Sequence, residues 1–269
     1  MDEYYLGSSE GEFNRLKIQS NVFNRTSTTI IDQFFYPGLD VVELGSGVGG
    51  ASFMIAQKLL NEGSLRCFER EERYAEYLQN QVKSSIFTNI DIYPEDITTY
   101  KPNFSFDRLY IRAVLHHLKA PFPSISSFIS SLKVGGLMVI EEPLIRYTGQ
   151  LPTNSILMKW GELNFQRIMD VGGKLAVSLD IAEKLKEYVE KYGFKVIVQH
   201  ISQTNLKLKE EKSILTQWLD MHRDELLRKK AVNQSEFDDL YIQMKKLVSC
   251  KDEPVFYVPM MQIVAQKVV

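Results

Sequence analysis

The chain is poor in cysteine, in long apolar stretches and in excess charge of either sign. Its 269 residues include two cysteines, too few for a disulfide framework or a four-ligand zinc site, which favours a reducing compartment. No apolar run approaches the roughly 18 residues that a membrane helix needs. The 32 basic and 34 acidic residues give a net charge of −2, so no basic excess is present to neutralise nucleic-acid phosphates. These absences exclude a disulfide-stabilised secreted domain and argue against membrane or nucleic-acid partners.

The remaining composition is that of an ordinary globular protein. Hydrophobic residues make up 44% and charged residues 25% of the chain, which is too apolar for extended disorder. The first five residues, MDEYY, are acidic and polar, unlike a signal or transit peptide. We therefore expect a soluble cytoplasmic protein, and the sequence predicts no metal site.

Short β-branched segments alternate with amphipathic helical segments along the chain. Strands are predicted at 40–44, 65–68, 90–92, 106–111, 137–140, 194–198 and 262–265. Helical segments of about ten to fifteen residues separate most of them. Because parallel strands joined by helices bury both faces of their sheet, this alternation predicts an α/β fold with a doubly wound sheet.

The predicted organisation has four parts. They are an amino-terminal helical segment at 1–36, a core at 37–205, a helical cap at 206–253, and a final strand at 254–269 that completes the core sheet. Within the core, residues 143–178 read as an irregular insertion, because they hold a proline and a Gly-Gly pair. We expect this insertion and the helical cap to cover the carboxyl edge of the sheet.

A glycine-rich turn, GSGVGG at 45–50, follows the first strand and opens the next helix. Missing β-carbons let a ligand approach the backbone closely, and a helix amino end favours electron-rich groups. Gly45, Gly47 and Gly50 fit the dinucleotide fingerprint G-x-G-x-x-G. Glu69, 19 residues beyond the last of these glycines, stands where a ribose-binding acid belongs. One interpretation of the turn is therefore a nicotinamide dinucleotide site.

A second pattern overlaps the first. Gly45, Gly47 and Gly49 fit E-x-G-x-G-x-G, the pattern of S-adenosylmethionine (SAM) sites, with Glu43 as its acid. A carboxylate two residues before the first glycine would repel a pyrophosphate, but it suits the ammonium of the methionine moiety. The charge of Glu43 therefore favours SAM as the cofactor. An NAD-dependent oxidoreductase and a non-catalytic SAM-binding module stay open as alternatives.

Several further segments agree with this interpretation in their order and spacing. They are ELGSGVG at 43–49, ER at 69–70, EDI at 95–97, FDRLYIRAVLHHL at 106–118, LKVGGLMVIEEP at 132–143 and YGF at 192–194. Together they resemble the class I SAM-dependent methyltransferases. That resemblance implies a Rossmann-like, mostly parallel seven-stranded sheet with an antiparallel last strand and helical lid insertions.

The resemblance also implies how the methionine half of SAM would be held. Gly45, Gly47 and Gly49 would lie under it. Glu43 would hold its amino group, and the carbonyl of Arg112 would assist.

The adenosine half of the cofactor would bind at the ends of the next two strands. By the same resemblance, Glu69 would bind the ribose diol and Arg70 would flank the adenine. Asp96 and the backbone of Ile97 would bind the edge of the adenine. The product of transfer would be S-adenosylhomocysteine (SAH).

The amino-terminal segment YYLGSSEGEFNRLKIQ, at 4–19, is similar to the lead-in Y-x-L-G…E-x-x-R-L-x-x-Q of a methyltransferase subgroup that acts on small molecules. The resemblance implies that this segment folds over the cofactor as a lid, with Tyr4, Arg15 and Gln19 facing it. An amphipathic helix that packs on the sheet and leaves Arg15 solvated is the alternative.

The candidates for a general base follow the fourth strand and end the fifth. His116 and His117 follow the fourth strand at the carboxyl edge, where a methyl acceptor would lie, and histidine titrates near neutrality. The alternative is that one histidine packs behind the cofactor and the other caps the next helix. Glu141 and Glu142, at the end of the fifth strand, are weaker candidates.

The acceptor is expected to be a small organic molecule. No Asn/Asp-Pro-Pro-aromatic motif follows the fourth strand, and by the family resemblance this absence argues against amino-methylation of DNA bases. Large side chains of the insertion and the cap could form an apolar acceptor pocket, although each is also a candidate for ordinary packing; they are Trp160, Phe165, Met169 and Trp218. His200 and His222 are assigned structural roles. The attacking atom and the oligomeric state are not predicted.

Overall fold

The strands of the chain form one sheet in a computed structural model that describes residues 10–148, 155–175, 178–251 and 255–268. Within these ranges the strands are β1 (Asp40–Leu44), β2 (Ser64–Phe68), β3 (Ile90–Tyr93), β4 (Phe106–Arg112), β5 (Leu132–Pro143), β6 (Phe194–Leu206) and β7 (Val255–Lys267). Their order is β3-β2-β1-β4-β5-β7-β6. The first five are parallel, and β7 is antiparallel to both of its neighbours. The predicted doubly wound sheet with an antiparallel last strand is confirmed.

Helices cover both faces of the sheet and one of its edges. In the described ranges they are α1 (Glu10–Phe34), α2 (Ser52–Leu59), α3 (Glu72–Lys83), α4 (Pro121–Ser124), α5 (Ser126–Ser131), α6 (Ser155–Leu175), α7 (Ile181–Lys191), α8 (Lys209–Arg228) and α9 (Gln234–Ser249). Among these helices, none is long and apolar enough to cross a membrane.

Two apolar cores lie on opposite faces of the sheet because strand side chains alternate in direction. Val41, Tyr110 and Val139 pack with residues of α1, α2 and α3 on one face. Val42 and Ile140, each one residue along its strand, pack with α5 and α7 on the other face. This packing explains why the central strands read as continuous apolar runs in the sequence.

A third apolar cluster joins α6, α8 and α9 to α1 and to the beginning of β7. From here on, the cap means three helices: α8 and α9, which lie in the predicted helical cap, together with α6. Trp160 of α6, Trp218 of α8 and Phe237 of α9 are each buried in this cluster. The cap lies beside the sheet edge at which the chain leaves β1 and β4, since two of its helices, α6 and α8, line the same cavity as those strand ends.

The prediction that residues 143–178 are irregular is wrong, because α6 is a 21-residue helix within that stretch. Leu157, Trp160 and Leu163 recur at helical spacing, and all three are buried. The Gly-Gly pair lies in the last turn of the helix, where helix-breaking residues cost less than in the interior. The apolar spacing was a better indicator than the glycines.

Candidate cofactor and acceptor site

A cavity of about 580 Å³ lies between the carboxyl ends of β1, β2 and β4 and the helices α1, α6 and α8. This volume falls in the range of roughly 300–1,000 Å³ that small-molecule sites occupy. Twelve of the fourteen predicted site residues line it: Arg15, Gln19, Glu43, Gly45, Gly47, Glu69, Arg70, Asp96, Ile97, Arg112, His116 and His117. Gly49 is buried and is not among the lining residues, and Tyr4 lies outside the described residues.

The glycine turn after β1 has three left-handed glycines, Gly45, Gly47 and Gly49, with φ of 66°, 54° and 83°. A β-carbon on Gly45 would lie 2.4 Å from Val114, and one on Gly49 would lie 2.3 Å from Leu78, so internal packing requires both glycines. A β-carbon on Gly47 would meet nothing within 4 Å. Gly47 is therefore the glycine whose missing side chain leaves open space at the cavity wall.

Glu43 is the last residue but one of β1, and it is buried, at 3% exposure. Its Oε2 accepts hydrogen bonds from the Ser52 hydroxyl at 2.5 Å and from the Cys67 thiol at 3.4 Å. Burial raises the pKa of Glu43 to about 7, although these hydrogen bonds and the nearby charge of Arg112 oppose the rise. A buried acid that titrates near neutrality is poised to bind a cation, since an ammonium group would restore its charged form.

Glu69 follows β2 and holds the glycine turn from the opposite side. Its two carboxylate oxygens accept the backbone N–H of Gly47 at 2.7 Å and that of Glu71 at 2.8 Å. Burial raises the pKa of Glu69, and the two backbone hydrogen bonds oppose that rise. The carboxylate therefore lies against the glycine turn at the cavity wall, as a diol-binding acid would.

Asp96, Ile97 and Arg70 form the part of the wall that follows β2 and β3. Arg70 Nη1 lies 3.7 Å from Asp96 Oδ2, and the Thr98 N–H donates to the other carboxylate oxygen of Asp96 at 2.8 Å. Ile97 is buried at 8% exposure and supplies apolar surface beside these charges. A flat heterocycle with a polar edge fits this combination of an apolar surface and an acceptor.

Arg112 ends β4 and fixes helix α1 over the glycine turn. Its guanidinium donates to Ser20 at 3.1 Å, Asn24 at 2.9 Å and Ser27 at 3.0 Å, all on α1. The approach is so close that a β-carbon on Gly50 would lie 1.5 Å from the Ser20 hydroxyl oxygen. The side chain of Arg112 thus positions α1. That the backbone carbonyl of Arg112 binds the cofactor stays a prediction.

Glu141 and Glu142, the weaker base candidates, do not line the cavity. Glu141 is fully buried and accepts hydrogen bonds from Ser27 at 3.0 Å, from Gln262 at 2.6 Å and from the Tyr110 hydroxyl. It therefore joins α1, β4, β5 and β7 in one buried network. Both its position and its saturated hydrogen bonding indicate a structural role.

Glu142 organises the loop that carries the two histidines. Its carboxylate accepts the N–H groups of Val114 and Leu115, each at 2.8 Å, and lies 2.6 Å from Nδ1 of His116. The centroids of the His116 and His117 rings are 3.9 Å apart, and burial lowers the pKa of His117 well below its usual range. His117 is therefore neutral near pH 7. The use of either histidine as a general base stays a prediction.

Helix α1 brings a buried ion pair to the cavity. Arg15 donates to both carboxylate oxygens of Glu12, at 2.7 and 2.6 Å, and the two residues are 7% and 2% exposed. A solvated Arg15 is therefore not what the structure shows. One turn further, Gln19 donates to the Tyr257 hydroxyl at 3.0 Å. Glu12 is a site residue that the sequence reading left out, although it is the acid of the E-x-x-R pattern.

The cap supplies an aromatic wall to the cavity. The rings of Trp160 and Trp218 meet edge to face, with their centroids 5.6 Å apart. Tyr257 of β7 completes this wall, and its ring centroid lies 6.3 Å from that of Trp160. All three line the cavity, whereas the other two proposed pocket residues, Phe165 and Met169, do not. That these side chains form an acceptor pocket stays a prediction.

His222, which the sequence analysis assigned to a structural role, lines the same wall. It lies one helical turn after Trp218 on α8, and the two ring centroids are 4.9 Å apart. Burial lowers its pKa to about 4, and the charge of Arg167 adds to this shift. The spacing of four residues from Trp218 was the available sequence signal.

The sequence profile of the methyltransferase domain family matches residues 36–220. The matched range includes the glycine turn, the three acids Glu43, Glu69 and Asp96, and the loop that carries His116 and His117. The chain belongs to this methyltransferase family.

Similar proteins include N-methyltransferases. Pavine N-methyltransferase of Thalictrum flavum subsp. glaucum is 24% identical over 116 residues, which are 39% of this chain and 32% of that enzyme. The chain thus spans about a third of the length of the curated relatives it matches. Among solved structures, Haemonchus contortus phosphoethanolamine N-methyltransferase 2 in complex with SAM has a TM-score of 0.55 at 17% identity, covering 90% of this chain and 52% of that one. Coclaurine N-methyltransferase bound to N-methylheliamine and SAH gives 0.53 at 13% identity, covering 93% and 72%.

The family match confirms the prediction of a class I methyltransferase fold and favours methyl transfer over the NAD-dependent oxidoreductase. The structural neighbours share the fold with this methyltransferase. Among the residues that the structure describes, no cluster of His, Cys, Asp or Glu could hold a metal ion.

Proposed function

We propose that this methyltransferase moves the methyl group of SAM to the nitrogen of a small amine. The observation that supports SAM as the cofactor is the buried carboxylate of Glu43, which lies two residues before a glycine turn that is open at Gly47. Nitrogen as the attacking atom is supported by the N-methyltransferases among the relatives. The net charge of −2 supports a small-molecule acceptor over a nucleic acid, and a cytoplasmic location is part of the proposal.

The residues of the cavity fit SAM from one end to the other. Glu43 would hold the ammonium group, the turn around Gly47 would lie against the methionine chain, and Glu69 would accept the ribose hydroxyls. Asp96 and Ile97 would bind the adenine edge and face. When bound, SAM supplies the methyl group and a sulfur leaving group.

The chain's own residues then have three tasks. The cap and α1 exclude water from the reacting atoms, and the aromatic wall orients the amine for in-line attack. The third task concerns protons, since an amine nitrogen must carry a free lone pair to attack. His117 and His222 are neutral near pH 7 because burial lowers the pKa of each, so they can accept hydrogen bonds from an N–H group.

The proposal is tested by incubating the full chain with SAM that carries a deuterated methyl group and with a panel of small amines and phenols. Mass spectrometry is expected to find the labelled methyl group on the nitrogen of at least one amine. Labelling of phenol oxygen alone would overturn nitrogen as the acceptor. Binding of SAH without transfer to any member of the panel would favour the non-catalytic SAM-binding module.

The affinity for SAH is expected to fall in acid because the pKa of Glu43 is about 7. The ammonium of SAH binds the ionised carboxylate, so binding below pH 7 must expel the proton that burial retains there. Linkage then predicts a dissociation constant about tenfold larger at pH 6 than at pH 8. Isothermal titration calorimetry in buffers of different ionisation enthalpy would show this release of a proton.

The matched control for this prediction is Glu43→Gln, which keeps the shape of the side chain and one acceptor oxygen but does not titrate. We expect weaker binding of SAH by the variant and a flat profile between pH 6 and pH 8. An unchanged slope in the variant would mean that another group controls the pH dependence.

A further inference from the structure

Arg167 of α6 carries hydrogen-bond donors that the described part of the chain leaves unused. Its side chain lines the cavity and is 10% exposed. Nε donates to Glu225 Oε2 at 3.0 Å, and the other oxygen of that carboxylate lies 2.9 Å from Lys229 Nζ. A guanidinium has five N–H donors, four of them on its two Nη atoms. Within the described ranges neither Nη atom makes a hydrogen bond, and both are open to water.

Two further polar side chains are unpaired at the same end of the cavity, where α6 and α8 line it. Asn164 lies one turn before Arg167 on α6, and His222 is on α8. Neither side chain makes a hydrogen bond to another described residue, and the polar atoms of both are open to water. The charge of Arg167 contributes to the low pKa of His222, so the guanidinium lies near that ring. We call these three residues the cap-end polar group.

The charges around the cavity are divided between its two ends. The three acids assigned to SAM follow or end the parallel strands, whereas no acidic residue in the described parts of α6 and α8 lines the cavity. Arg15, the other cation near this end, is held by both carboxylate oxygens of Glu12. Arg167 is less fully neutralised, because Glu225 shares its carboxylate between Arg167 and Lys229. The cap end of the cavity therefore suits an anion better than an ammonium group.

We propose that the acceptor amine carries an anionic group, a carboxylate or a phosphate, which accepts hydrogen bonds from the open Nη atoms of Arg167 and from the side chains of Asn164 and His222. This inference rests on the proposed function and names its substrate class. Two oxygens of either anion match the paired N–H groups of a guanidinium. The anion would fix the acceptor at the cap end, and the amine would extend toward the strand ends, where SAM is expected.

Tryptophan fluorescence observes this end of the cavity, because Trp160 and Trp218, the two tryptophans of the chain, both line it. The wild-type protein would be saturated with SAH and titrated with three pairs of amines, each pair with and without the anion: β-alanine and propylamine, phenylalanine and phenethylamine, phosphoethanolamine and ethanolamine. We expect the anionic member of at least one pair to bind about tenfold to 100-fold more tightly, the contribution of hydrogen bonds to a charged group. A preference in either of the first two pairs identifies a carboxylate, and one in the third identifies a phosphate. Equal or weaker binding of the anionic member in all three pairs would overturn the inference.

Arg167→Met keeps the length of the side chain and removes its charge and donors. Lys229→Met is the matched control, because Lys229 contacts the same Glu225 carboxylate but does not line the cavity. We expect the first variant to abolish the preference for the anionic amine and to bind its partner without the anion as the wild type does. The control should keep the preference. A preference that survives Arg167→Met, or that is lost equally in both variants, would contradict the assignment of Arg167.

Arg167→Lys keeps a cation beside Glu225 and decides the matter if the methionine variant does not fold. Since an ammonium lacks the paired donors of a guanidinium, we expect the preference to fall by roughly threefold or more, and an undiminished preference would count against the inference. Calorimetry with SAH alone separates the two levels of the proposal. Failure of the wild-type protein to bind SAH refutes the proposed function itself, whereas failure of the anionic amines refutes only the substrate class.

Discussion

Replacing Gly47 with valine is expected to weaken SAH binding by more than about 100-fold while the protein stays folded. Gly47 has φ of 54°, and a β-carbon there meets no protein atom within 4 Å, so the new side chain occupies space at the cavity wall. A valine of this size would stand where the methionine chain is expected to lie. The left-handed backbone adds strain of about 1–3 kcal/mol, which lowers stability without preventing folding. Calorimetry measures the binding and circular dichroism measures the melting temperature.

Gly135→Val is the matched control for this substitution. Gly135 has φ of 81°, and a β-carbon there also meets nothing within 4 Å, but it is exposed at the amino end of β5, away from the cavity. The control therefore carries similar backbone strain and should bind SAH as the wild type does. Full binding by Gly47→Val, or equal loss in both variants, would remove the glycine turn from the cofactor site.

Replacing Glu142 with alanine is expected to lower the free energy of unfolding by about 3–5 kcal/mol. The carboxylate is fully buried and accepts three backbone N–H groups, those of Val114, Leu115 and His116, besides its contact with the His116 ring. Its removal leaves these groups buried without an acceptor, and each such group costs roughly 1–3 kcal/mol. Urea denaturation followed by circular dichroism measures the change.

Two further variants make the result for Glu142 specific. Glu142→Gln retains one acceptor oxygen and should lose less stability than the alanine variant. Glu76→Ala, on the exposed face of α3, should change stability by less than about 0.5 kcal/mol. If the free energy of unfolding of Glu142→Ala were within about 1 kcal/mol of the wild-type value, the histidine loop would not depend on this carboxylate.

The fold and the candidate site could be predicted from the sequence wherever short-range spacing determines the structure. The strand ends and the glycine turn could be located because apolar runs, glycines and acids follow one another within a few residues, as at Glu43 and Gly47. Parallel topology then brings the ends of successive strands to one edge. For that reason Glu69 and Asp96 could be placed in one cavity although 27 positions separate them in the chain.

The rest depends on contacts between distant segments, which no local pattern records. Glu141 and Glu142 are neighbours at the end of β5, yet one joins α1 to the sheet and the other supports the histidine loop. His222 enters the cavity only because α8 packs against α6 and α1. Local composition was also misleading for α6. Its Gly-Gly pair led to the prediction of an irregular segment, although the segment forms the helix that carries Trp160.

A crystal structure of the full chain with SAH bound tests the account most directly. The amino group of SAH is expected beside Glu43, its methionine chain against Gly47, its ribose hydroxyls at Glu69 and its adenine between Arg70 and Ile97. The sulfur should then face the aromatic wall of the cap. SAH bound outside this cavity, or in the reverse direction with adenine at Glu43, would contradict the assignment of the cofactor site.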